Sequence, residues 1–214
     1  QTTLAVFAAA SLTEAFSETG DRFETIHPES QVVFNFAGSQ QLAQQIAQGA
    51  PVDVFASADF EQMEAIVQAG RVAPEAPQLF AHNRLVVVFP GENPAALRQL
   101  QDLARPGLRL ILVAAAAPAG NYTLEFLEKA SRDPAFGSSF QAAVLANVVS
   151  YEENVRAVLS KVILGEADAG IVYASDVSGA DPAEIGALEI PDALNVQAEY
   201  LIALVSDSRN PGLA

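Results

Sequence analysis

Val6-Phe7-Ala8-Ala9-Ala10-Ser11-Leu12-Thr13, running on into Glu14-Ala15-Phe16, is an apolar strand that ends in small residues and turns at a serine into a helix with an acidic first turn. Ser11 falls where a helix begins. The first N–H groups of a helix have no acceptor within it, so such a start is a seat for an anion. The arrangement recurs at Val33-Phe34-Asn35-Phe36-Ala37-Gly38-Ser39, ahead of the helical run Gln40 to Ala47. Outward from these two turns the alternation continues. Thr3–Phe7, Gln31–Phe36 and Val52–Phe55 read as strands, followed by helices over Leu12–Ile26, Ser39–Gln48 and Phe60–Ala69. Further on, Leu85–Phe89, Leu108–Val113, Ala169–Val172 and Leu201–Val205 read as strands, and Thr123–Arg132 and Val155–Leu164 as helices. Pro-rich loops lie at Ala73–Pro77 and Pro90–Pro94, and a loose stretch covers Ser178–Asn195. Strands alternating with helices predict an α/β fold with mostly parallel sheets.

An internal echo supports two similar halves. Gln45 to Asp59 reads helix, Gly49, Asp53, an apolar strand ending in an aromatic, Ala-Ser, then Asp59; Lys161 to Asp176 repeats that order with Gly165, Asp168 and Asp176. In both, the glycine suits a helix stop and the final aspartate an N-cap. Any helix-to-strand connection shares some of this pattern, and the two readings weigh about equally.

The totals narrow the function. A chain of 214 residues with half of them hydrophobic holds one large domain or two small lobes. The longest apolar run, Leu110 to Ala117, is too short for a bilayer, which needs about 20 residues. No signal peptide is visible, which fits either a cytosolic start or a processed N-terminus. The formal charge of −15 and the scattered basic residues argue against nucleic acid. They do not argue against an anion, because surface charges beyond about 8–10 Å are screened while local N–H dipoles set the sign in a cleft. With no cysteine, disulfides, thiolate metal sites and cysteine nucleophiles are excluded.

Taken singly, Ser11 and Ser39 read as ordinary N-caps, each contributing about 1 kcal/mol. The small residues beside them, Ala8-Ala9-Ala10 and Ala37-Gly38, tilt the reading toward a ligand, because they let it approach the backbone. A serine hydroxyl can donate to an oxyanion as well as accept from its helix. Ala117-Pro118-Ala119-Gly120-Asn121-Tyr122 and Glu153-Asn154-Val155-Arg156 each open another helix, with N–H groups at Ala119 or Gly120 and at Val155 as candidate donors. Tyr173 ends an apolar strand and reads as a core residue or as a hydroxyl donor. Catalytic patterns are thin: His27 and His82 lie in no motif, and there is no Gly-x-Ser-x-Gly elbow, P-loop or dinucleotide fingerprint. Asp53, Asp59, Asp168 and Asp176 sit at strand and helix starts, where structural roles outweigh metal ligation.

Taken together, Phe7–Thr13, Ala37–Ser39, Gly49–Asp59, Pro118–Gly120, Glu153–Arg156 and Gly170–Asp176 resemble, in order and over nearly the whole chain, the molybdate-binding periplasmic proteins of molybdate ABC transporters. The resemblance implies a type II periplasmic-binding-protein fold: two α/β lobes joined by two crossover strands, with a ligand cleft between them. Lobe one would be residues 1–83 plus 194–214 and lobe two 84–193. Carried over by motif, Ser11 and Ser39 would donate hydroxyl and N–H, Ala119 and Val155 N–H, and Tyr173 its hydroxyl. The ligand would be molybdate or tungstate, held as its oxyanion with no cofactor and no direct metal–side-chain bond. The partner would be an ABC permease, and the protein a non-enzymatic extracytoplasmic monomer, free or lipid-anchored. Alternatives are a sulfate-type oxyanion receptor, or a LysR-type effector domain, against which the missing helix-turn-helix counts. An enzyme on this fold would need a catalytic base, and none is identifiable in the sequence; turnover abolished by replacing His27 or His82 would revive that reading. Such proteins carry an Asp-Pro or Asn-Pro ahead of Pro-Ala-Gly where this chain has Val113-Ala-Ala-Ala-Ala117, so the loop presenting Ala119 is expected to differ. They also continue past the equivalent of Asn210–Ala214 into helices, whose removal would expose apolar surface on the lobes.

Overall fold

The structure, a computed structural model, describes residues 2–178 and 180–214. Gln1, where the sequence reading begins, and Gly179, within the stretch read as loose, lie outside the described residues. The chain divides into two compact units: 1–82 with 199–214, and 83–198.

In the first unit, β1 (Thr2–Ala9), β2 (Ser30–Ala37) and β3 (Val54–Ser57) alternate with α1 (Thr13–Ile26) and α2 (Ser39–Ala47), and α3 (Phe60–Gln68) follows. β1 lies between β2 and β3, parallel to both, and β9 (Gln197–Leu204) runs antiparallel along β3. Leu42, Ala43 and Ile46 fall on one face of α2, at the spacing of a helix stripe. They pack with Phe55, Met63, Ile66, Leu201 and Ala203 into a closed core.

In the second unit, β4 (Gln78–Pro90) leads to β5 (Leu110–Val113), α4 (Pro118–Arg132), α5 (Phe140–Ala146), β6 (Val148–Glu152), α6 (Val155–Ile163) and β7 (Ala169–Tyr173). A short helix, α7 (Ala174–Val177), and β8 (Ile185–Glu189) complete it. β5 lies between β6 and β7, parallel to both, and β4 runs antiparallel to β7 and to β8. Val155, Val158, Leu159 and Val162 form the buried stripe of α6. The strands β4 and β9 carry the chain across the two boundaries.

The architecture is the α/β fold expected, with several corrections. The second compact unit runs on to residue 198, and Asn195 is tied into it. Its amide accepts from Leu85 N–H at 3.0 Å and donates to Leu85 C=O at 2.9 Å, and its carbonyl accepts from Lys129 Nζ at 3.0 Å. β8 lies inside the stretch read as loose, and α5 and β6 had no counterpart in the sequence reading. β4 begins well before Leu85, since a strand that leaves one unit for the next needs no unbroken apolar run.

Candidate functional site

Every predicted donor sits just past, or at, the carboxyl end of a parallel strand, where open α/β sheets bind ligands. Ser11 follows β1, Ser39 follows β2, Ala119 follows β5, Val155 follows β6, and Tyr173 is the last residue of β7.

In the first unit neither serine is an N-cap, which overturns the ordinary reading of both. Ser11 lies inside a 3-10 turn, Ala10–Leu12, that precedes α1, and no side chain caps that turn or α1. Its hydroxyl shares a 2.8 Å hydrogen bond with the hydroxyl of Tyr200, on β9. Gly38 is the N-cap of α2, and Ser39 is the first helical residue. The Ser39 hydroxyl accepts from Ala58 N–H at 3.0 Å, which leaves its own proton to donate elsewhere. The N–H of Ser39, in the first turn of α2, has no acceptor within the helix. Both serines are buried.

Asp59 stands directly after Ala58. It is the N-cap of α3, accepting from Gln62 N–H at 3.0 Å and from the Ser57 hydroxyl at 3.3 Å. Burial pushes its carboxyl up to about 6; the bonds from Gln62 and Ser57 pull it down, and the Glu61 charge raises it further.

In the second unit Pro118 and Ala119 open α4, with proline at a position where its missing N–H costs nothing. A Cβ on Gly120 would sit 2.0 Å from the Ala114 carbonyl oxygen and 2.7 Å from that of Val113. Only glycine allows the start of α4 to fold back against the end of β5, and this close approach places Ala119. α6 is capped by Asn154, which accepts from Ala157 N–H at 3.1 Å and leaves Val155 as the first helical residue. Of the carboxylates beside Val155, Glu152 is engaged by Lys161 Nζ at 2.6 Å and the Ser150 hydroxyl at 2.6 Å. Those bonds, the Lys161 one first, hold its carboxyl below the usual range. Tyr173 is buried, and its N–H donates to Asp176 Oδ2 at 2.9 Å. Asp176 therefore lies in the first turn of α7 and folds back on Tyr173; it is not the N-cap that the echo predicted.

A cavity of about 400 Å³ in the second unit is lined by Pro90, Arg109, Leu164 and Asp168, at the amino ends of β5 and β7, away from the donors. Among the described residues no group of three or more His, Asp or Glu side chains could hold a metal ion. Nor is any helix long and apolar enough to cross a membrane. Sequence reasoning missed Tyr200 and Ala58. Nothing local marks Tyr200, because its contact with Ser11 joins β9 to the turn after β1.

Residues 4–214 match the family model described as bacterial extracellular solute-binding protein. The chain is 40% identical over 211 residues to the molybdate-binding protein ModA of Mycobacterium tuberculosis, covering 99% of this chain and 76% of that one. The periplasmic molybdate-binding protein of Azotobacter vinelandii has the same fold, with a TM-score of 0.79 and 21% identity over 98% of this chain and 88% of that one. So does the sulfate-binding protein SubI of M. tuberculosis, with a TM-score of 0.84 and 19% identity over 100% of this chain and 79% of that one.

Proposed function

Because the chain belongs to the bacterial extracellular solute-binding protein family, we propose that it captures molybdate or tungstate outside the cytoplasm and delivers it to an ABC permease. Ser11 and Ser39 of the first unit, and Ala119, Val155 and Tyr173 of the second, are the proposed donors to the anion.

The observation that carries this reading is the make-up of the donor set. Hydroxyls and first-turn N–H groups follow the carboxyl ends of the parallel strands, and none of the five residues brings a carboxylate. A fully deprotonated tetrahedral dianion needs donors alone. Hydrogen phosphate carries a proton and needs an acceptor, so this set disfavours it. Hydrogen bonds to a charged group contribute about 1.5–3 kcal/mol each, and several together offset desolvation of the anion and the entropy of holding it. Neutral donors also let the anion leave more readily than a buried ion pair would. The family the chain belongs to supports a carrier role rather than a catalytic one.

Titration calorimetry with molybdate, tungstate, sulfate and phosphate tests the proposal. Molybdate and tungstate are expected to bind and phosphate to fail. Ser11→Ala and Ser39→Ala are each expected to weaken molybdate about 10- to 100-fold, the loss of one charge-assisted bond. Absence of binding by both molybdate and tungstate would sink the reading. Sulfate binding as tightly as molybdate would move it to the sulfate-type receptor.

A further inference from the structure

We propose that the turn between β3 and α3, Ser57-Ala58-Asp59, is the positioning element of Ser39, and that the Asp59 side-chain oxygen aims the Ser39 hydroxyl at the anion. The inference rests on the reading of Ser39 as an anion donor and adds a positioning residue from outside the donor set.

The bond between Ala58 and Ser39 has a forced direction. A backbone N–H donates and cannot accept, so in this 3.0 Å contact the Ser39 oxygen is the acceptor. The bond acts on Ser39 in two ways. A serine side chain has three staggered positions, and the bond holds Ser39 in one of them. It also occupies a lone pair, so the hydroxyl proton points away from Ala58, and the polarised O–H becomes a stronger donor. Ser39 is the first residue of α2, so a hydroxyl held in this way stands at the same helix start as the acceptorless N–H groups.

The Ala58 N–H is aimed in turn by the residues on either side of it. Ser57 is the last residue of β3, fully buried and paired with Leu201 of β9. Asp59 is the N-cap of α3, and its Oδ1 accepts from Gln62 N–H at 3.0 Å and from the Ser57 hydroxyl at 3.3 Å. Asp59 N–H donates back to the Ser57 hydroxyl oxygen at 3.3 Å. Ala58 is therefore bracketed. One side of it is anchored in the sheet, the other is tied to the first turn of α3, and one carboxylate oxygen joins the two. Without that oxygen the Gln62 N–H loses its acceptor, the start of α3 loosens, and the Ala58 N–H drifts from Ser39.

The test is a set of Asp59 variants titrated with molybdate by calorimetry at pH 7.5. Asp59→Asn keeps an oxygen for Gln62 N–H and should bind at least as tightly as the parent. Asp59→Ala removes the acceptor and should bind about 5- to 10-fold more weakly than Asp59→Asn, a part of what one bond to a charged group contributes. Asp59→Gly also removes the acceptor, at a position where glycine is tolerated far better than alanine, so it carries the test if the alanine variant does not fold. It should bind as weakly as Asp59→Ala. All three variants lack the charge, so the acceptor alone separates them. In a Ser39→Ala background the three should bind molybdate within twofold of one another. An unfolded fraction lowers the stoichiometry and leaves the fitted affinity in place, so lost stability does not imitate the effect.

The proposal is overturned if Asp59→Gly and Asp59→Ala bind within twofold of Asp59→Asn. It is also overturned if Asp59→Asn binds more than twofold more weakly than the parent, or if the gap between the variants persists in full without the Ser39 hydroxyl. A Ser39→Ala protein that binds molybdate as tightly as the parent would overturn the reading of Ser39 itself, and the proposal with it.

Discussion

The two units build the same sheet twice from different side chains. In the first the order is β2–β1–β3–β9, in the second β6–β5–β7–β4; each has three parallel strands and then an antiparallel one. The clearest correspondence lies where the sequence echo pointed. α2 ends through Gly49 at φ +93° and α6 through Gly165 at φ +71°, both in the left-handed region that glycine tolerates. An aspartate then leads into the next strand and clasps the neighbouring parallel strand in both directions. Ala5 N–H donates to Asp53 Oδ2 at 2.8 Å and Asp53 N–H to Ala5 C=O at 2.9 Å. Arg109 N–H donates to Asp168 Oδ2 at 2.8 Å and Asp168 N–H to Arg109 C=O at 2.8 Å. At the other ends of these strands the units part company. Ser11 and Ser39 stand in the positions that Ala119 and Val155 occupy in the second unit. At these two places a shared backbone plan thus carries serines, with hydroxyls, in one unit, and an alanine and a valine, with only backbone N–H groups to offer, in the other. It teaches that the plan sets where a donor stands, while the residue at that place sets what kind of donor it is.

The largest expected effect breaks the comparison at the turn after β5. Gly120→Ala places a methyl group against two backbone carbonyls that cannot yield, and should cost about 3 kcal/mol or more in urea unfolding. Loss of under 1 kcal/mol would mean that α4 shifts freely and that Ala119 is not fixed by this contact.

A second experiment sharpens the comparison at the two aspartate clasps. Asp53 does more than Asp168, because its Oδ1 also accepts from the Ser208 hydroxyl at 2.7 Å and from Arg209 N–H at 3.1 Å. Burial pushes the Asp53 carboxyl up, but the bonds from Ala5, Ser208 and Asn210 together outweigh it and hold it below the ordinary value. Asp53→Ala should cost about 3 kcal/mol at pH 7 and Asp168→Ala about half as much. Since a lowered carboxyl stabilises the fold above its unfolded value, the Asp53 share should vanish as the pH falls below about 4. Equal losses in the two variants would show that the extra bonds to 208–209 add nothing.

The smallest effect is confined to a pH window. Asp59, at about 6, is raised above its unfolded value, so its contribution is full at low pH and declines as pH rises through about 6. Asp59→Asn keeps an oxygen to accept from Gln62 N–H and removes the buried charge. Its melting temperature should exceed the parent's above pH 7 and meet it near pH 4. A parallel pair of curves across that range would refute the assignment.

Much of this arrangement was legible in local patterns. The Gly-x-x-x-Asp spacing before β3, the Pro-Ala-Gly start of α4 and the Asn154 cap of α6 are each fixed by neighbours a few residues away. What escaped depends on distant contacts. β6 is an edge strand with alternating half-exposed residues, and β8 is stabilised by pairing with β4, so neither carries a strong apolar run. The roles of the two serines were read as caps or donors because capping is local. The partners that decide the matter, Tyr200 and Ala58, come from other elements.

The place of β9 has a consequence for how the chain is assembled. The second unit is one continuous segment and can fold as soon as residue 198 has emerged. The first cannot: β3 must wait for β9, with Val54 finally paired to Leu204, so its edge stays open while the whole of the second unit is made. Such an unpaired edge invites pairing with another chain, and contacts this remote in sequence form slowly. The amino-terminal half of the protein is therefore the last to finish, and the interval before β9 arrives is when the chain most needs to be kept from its neighbours.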